Sequence, residues 1–140
     1  MRQKIIWPVL SLALAAACVV LLVLWQGEKN RAPEMDDLRL HGMAEAHARF
    51  SDYLRLGNEG DYWYGAAEFQ TMVNCARAEN LGGMTDANAA AGVLMFNPGL
   101  AQSRLEDVCA ILETCIAQPD NTAQWAVSMN ELRHLLEEGN

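Results

Sequence analysis

Four cysteines, three histidines and seven methionines are the side chains best suited to redox or metal chemistry in this chain. Cys18 sits inside an apolar run, which leaves Cys75, Cys109 and Cys115, an odd set that cannot close completely into disulfides. Cys109 and Cys115 lie six residues apart, about 240° around a helix axis, so they face away from each other. An internal bridge would therefore join Cys75 to Cys109 or to Cys115. The first reading is simpler: three buried thiols acting as small hydrophobes. A reactive pair would show Cys-x-x-Cys or a cysteine at a helix start, and neither occurs. Met43 and His47, at i and i+4, have the soft ligand types that suit copper, and His41 with Glu45 could supply half of a zinc site. Met43 and His47 also belong to an apolar helical stripe, and no His-x-x-x-His completes the zinc pair. The sequence thus predicts no metal and no cofactor.

Catalytic patterns are missing as well. Ser51, Ser103 and Ser128 sit in helical patterns without a visible base, and no Gly-x-Ser-x-Gly elbow surrounds any of them. Gly82-Gly83 is not followed by the Lys-Ser/Thr of a phosphate loop, and it reads as a helix stop. The carboxylate pairs Asp36-Asp37, Glu106-Asp107 and Glu137-Glu138 are sequence neighbours, which diverge by about 100° on a helix and suit solvated faces. The chain reads as a non-enzyme. Tyr62-Trp63-Tyr64 is the cluster that one helix face cannot absorb, because Trp63 and Tyr64 lie about 100° and 200° from Tyr62. Trp63 and Tyr64 are accordingly the expected partner-binding residues.

These residues need helices to position them. Leu40, Met43, His47, Phe50 and Leu54 make one stripe of a helix from about Glu34 to Leu56, ended by Gly57-Asn58-Glu59-Gly60. Asp61 can cap a second helix with Tyr62, Ala66, Phe69, Val73 and Ala76 inward, stopped at Gly82-Gly83. A third starts at Thr85 or Asp86 and breaks at Asn97-Pro98-Gly99. The fourth turns Leu105, Val108, Cys109, Leu112 and Ile116 inward and ends at Pro119. Asn121 or Thr122 opens the last, with Trp125, Met129, Leu132 and Leu136 inward. No stretch alternates with period two, so the fold class is all-α, a small bundle or stacked hairpins of about five helices. Gly60-Asp61-Tyr62 followed by Phe69 is similar to the turn and second helix of a tetratricopeptide hairpin. It departs at Gly65 and Met72, where that family prefers Ala, and no second copy follows at an interval of about 34 residues.

The 140 residues are 51% hydrophobic, with 10 basic and 18 acidic side chains and a net charge of −8. Residues 5–25 carry no charge, and 21 helical residues rise about 31 Å, close to a bilayer core. Trp7 and Trp25 flank this run, and Pro8 stands in its first turn. The expected organisation is a short tail (1–4), a transmembrane helix (5–25), a polar connector (26–33) bounded by Pro33, and an acidic soluble domain (34–140). A lipid bilayer is then the partner of 5–25. The expected address is the cell membrane, as an uncleaved signal anchor with a cytoplasmic N-terminus and an extracytoplasmic C-terminal domain. Past residue 25 the charge is −10, which argues against nucleic acid as a partner. The function expected is a non-catalytic, single-pass helical domain that mediates protein interaction or assembly. A small-ligand or metal-binding sensor domain is the alternative, and a hydrolase comes third.

Overall fold

Turn residues set most of the helix ends. The computed structural model describes the backbone of residues 3–137 and the side chains of 17–22 and 36–137. The order is α1 (Gln3–Leu56), α2 (Glu59–Ala78), α3 (Met84–Phe96), α4 (Pro98–Ser103), α5 (Leu105–Ala117) and α6 (Thr122–Glu137). No strand occurs among the described residues. Gly57 takes a left-handed φ of +69° after α1, and Asn58, rather than Asp61, caps α2 by accepting from the Gly60 N–H at 3.0 Å. Gly83, at φ +75°, stands at the N-cap of α3 in place of Thr85 or Asp86. Asn97-Pro98-Gly99 does end α3, but Pro98 also opens α4, because proline's fixed φ and missing N–H suit a first helical position.

The chain divides into two compact units, Met1–Glu34 and Met35–Asn140. In the first, the side chains from Val19 to Leu22 are exposed. Among the described residues no helix is long and apolar enough to cross a membrane. This corrects the expected transmembrane helix at 5–25 and the single-pass, signal-anchor address at the cell membrane. The side chains of 5–16 and 23–25 lie outside the described residues. Nor does the helix stop where its apolar run stops: backbone 26–33, expected as a connector, and Pro33, expected as a boundary, both lie within α1.

In the second unit, α2 follows residues 36–56 of α1 as an antiparallel partner. Glu68 and Met72 lie directly over Gly42, where an added Cβ would come within 3.3 Å of the Glu68 carbonyl oxygen. Gly65 faces the Phe50 ring. α2 neighbours α3, α3 neighbours α6, and α6 neighbours α5. Ser51 Oγ, donating to Cys109 Sγ at 4.0 Å, and Arg39, donating to the Pro119 carbonyl at 3.4 Å, bring α5 and its C-terminal turn back to α1. The helices thus form a bundle around a single core of Met43, Phe50, Tyr62, Phe69, Leu94, Leu112, Met129 and their neighbours. Every inward residue expected of α2 is buried, as are Trp125, Met129, Leu132 and Leu136 of α6. The α1 stripe is rotated from expectation. Arg39, Met43, Ala46 and Phe50 are buried, while Leu54 is exposed because Tyr53 packs on Tyr62 at the helix end instead.

Candidate interaction surface

The loop between α1 and α2, the end of α3 and the start of α5 meet at one end of the bundle. Tyr62 Oη, fully buried, donates to the Leu94 carbonyl at 2.7 Å, which ties the end of α3 to the start of α2. Burial pushes the Tyr62 phenol up to about 12. Glu59 accepts from Tyr53 Oη at 3.5 Å and from Gln102 Nε2 at 3.1 Å, so α1, α2 and α4 converge on one carboxylate. Three apolar side chains at this end are not covered. Phe96 is 89% exposed, Leu56 64% and Trp63 43%. Trp63 stands edge-on to the Tyr62 ring at 5.3 Å, which fixes one side of the indole and leaves the other to solvent. Tyr64, 67% exposed, is turned toward α1, where the Arg49 guanidinium lies 5.8 Å from its ring. Trp63 and Tyr64 therefore occupy different flanks of α2. Phe96 joins Trp63 at the same bundle end, and nothing in the helical periodicity singles it out.

The opposite end hides a charge. Arg39, 4% exposed, donates through Nε to Glu79 Oε2 at 3.0 Å and through Nη2 to Asp36, and its guanidinium lies 5.7 Å from the Trp125 ring. Trp125 Nε1 donates to the Gly82 carbonyl at 3.0 Å. Cys75 and Cys115 lie within the field of this guanidinium, whereas Cys109 lies beside Ser51. All three buried sulfurs are free thiols, with no bridge from Cys75 to Cys109 or Cys115. Burial raises each thiol pKa, an effect that the Ser51 hydroxyl eases at Cys109 and the Ser128 hydroxyl at Cys115. Sequence reading missed Arg39 because its partner Glu79 is forty residues away.

The other chemical candidates are dispersed. Met43 is buried in the core, His47 is half-buried and His41 is exposed. Glu45 accepts from Arg49 Nε at 2.9 Å. Among the described residues no three or more His, Cys, Asp or Glu side chains cluster as metal ligands. Ser103 Oγ donates to the Leu100 carbonyl, and Ser128 Oγ accepts from Gln124 Nε2. Glu106 and Asp107 are both exposed on α5, and Glu138 lies outside the described residues. No family model matches the chain, nor does any curated protein or solved structure. No family match accompanies the short likeness of Gly60 to Phe69 to a tetratricopeptide hairpin. Gly65, where that family prefers Ala, has a visible reason: a Cβ there would lie 2.6 Å from the Phe50 ring.

Proposed function

We propose that the helical unit beginning at Met35 is a non-catalytic interaction module that docks a protein partner at the bundle end carrying Leu56, Trp63 and Phe96. One observation carries this reading. Trp63, a residue type enriched at binding hot spots, and Phe96 both stand in solvent at one bundle end while the core beneath them is closed. An isolated exposed leucine is unremarkable; two aromatics and a leucine at a single helix-end junction form a surface that binding would desolvate. The buried Tyr62 ring supports the Trp63 indole, so the surface is ordered before a partner arrives and loses little entropy on docking. A photo-reactive side chain at position 96 should trap one discrete partner, and Trp63→Ala should abolish the product without lowering helicity. The same product from a probe at exposed Ala110 of α5, or none from position 96, would overturn the reading.

A further inference from the structure

The bundle end that exposes Phe96 also gathers carboxylates. The antiparallel passage of α5 along α1, fixed by the Ser51 and Arg39 contacts, brings the start of α5 beside the end of α1. Exposed Glu106 and Asp107 therefore stand at the same bundle end as Leu54, Leu56 and Glu59. Two of the cations there are committed: Arg55 is held by Asp52 at 2.7 Å, and Arg49 by Glu45 at 2.9 Å and Asp61 at 3.5 Å. Arg104, half-buried just before α5, offsets only one of the two carboxylates that follow it, Glu106 and Asp107. Among the described residues Glu59 has a phenol and an amide as partners and no cation. The surface is thus apolar at Leu56, Trp63 and Phe96, with a rim in which carboxylates are in excess.

From that pairing we infer that the occupant of this surface is a cationic amphipathic segment of another protein, with apolar anchors for Trp63 and Phe96 and Lys or Arg for Glu59, Glu106 and Asp107. The inference rests on the docking reading above and adds the partner's chemistry. Apolar contact supplies most of the affinity, and the carboxylate rim favours cationic partners over anionic ones and speeds encounter at low salt.

Two synthetic helical peptides with the same leucine face, one with lysine and one with glutamate on the other face, provide the test against the isotopically labelled full chain. The Leu/Lys peptide should shift the Leu56, Trp63 and Phe96 resonances. Its Kd should rise about tenfold in Phe96→Ser and again in high salt, while the Leu/Glu peptide should not bind. Equal binding of both peptides at this end would overturn the cationic inference and leave the docking surface standing. Leu/Lys binding that is indifferent to Phe96→Ser and spread along α5 would reduce the effect to general attraction by an acidic protein, and would overturn the inference. Failure of both peptides would overturn the inference and the docking reading together. A concentration-dependent dimer abolished by Phe96→Ser would assign the surface to a second copy and would equally overturn it. Leu56→Ser, at an exposed position, repeats each arm independently if Phe96→Ser alters the fold.

Discussion

Arg39 shows how much a single buried charge can organise. Its guanidinium joins Asp36 one turn earlier on α1, Glu79 at the end of α2, the Pro119 carbonyl before α6 and the face of Trp125. Arg39→Met would leave Glu79 buried opposite a thioether, so urea unfolding should show a loss of about 3–5 kcal/mol. Adding Glu79→Gln removes the stranded charge and should return more than half of that loss. A double variant as unstable as the single one would show that the pair does not act as a unit. The thiols give a second test at this scale. At pH 8 Cys18, the exposed cysteine, should alkylate quickly, while Cys75, Cys109 and Cys115 should react only after denaturation and without reductant. Rapid labelling of more than one thiol in the folded chain would contradict their burial. Periodicity made Cys109 legible as inward because it shares a stripe with Leu105 and Leu112. It could not reveal Arg39, since a charged residue on a helix reads as solvated until its distant partner is known.

Helix pairing explains where local patterns succeed and where they shift. All five residues expected inward on α2 are buried because that helix is clasped between α1 and α3, which also buries Gly65, Met72 and Cys75 beside the stripe. The α1 stripe was legible only around Met43 and Phe50. Its register depends on Gly42 and Gly65, which let the two backbones approach, and closeness between helices leaves no periodic trace in either one. Asn97-Pro98-Gly99 stops α3 as expected, but the short α4 went unread because the proline that stops one helix also starts the next. The α1/α2 contact can be tested at its tightest point. Gly65→Ala gains about 1 kcal/mol of helix propensity but drives a methyl to 2.6 Å from the Phe50 ring, and overpacking costs about 1–3 kcal/mol. The balance should be a lower thermal midpoint, largely restored by adding Phe50→Leu. A rise in the midpoint from Gly65→Ala alone would show that α1 and α2 can separate freely there.

At the scale of the whole molecule, the acidic surface and the buried weak acids both lower stability as pH rises. Excess carboxylate charge repels itself at neutral pH, and salt should screen that repulsion. Above neutrality the buried acids take over. Tyr62, Cys75, Cys109 and Cys115 all hold their protons more tightly in the folded chain than their ordinary values of 10.0 for the phenol and 9.0 for the thiols. Between those values and the folded ones, the unfolded chain has lost protons that the folded chain keeps, so stability must fall as pH rises. Full stability is present below about pH 8, declines first as unfolded thiols ionise, and declines further from pH 10 as the unfolded phenol ionises. With Tyr62 pushed up to about 12, its share reaches at most about 2–3 kcal/mol. Urea midpoints measured by circular dichroism at pH 8, 10 and 11 should therefore drop progressively. Tyr62→Phe should begin lower at pH 8, by about 1–2 kcal/mol for the lost hydrogen bond to the Leu94 carbonyl, yet lose less between pH 10 and 11 than the parent. Parallel pH profiles for the two proteins would mean that the Tyr62 hydroxyl titrates as it does in water, and the closed core beneath the Trp63 surface would have to be more open than its packing indicates.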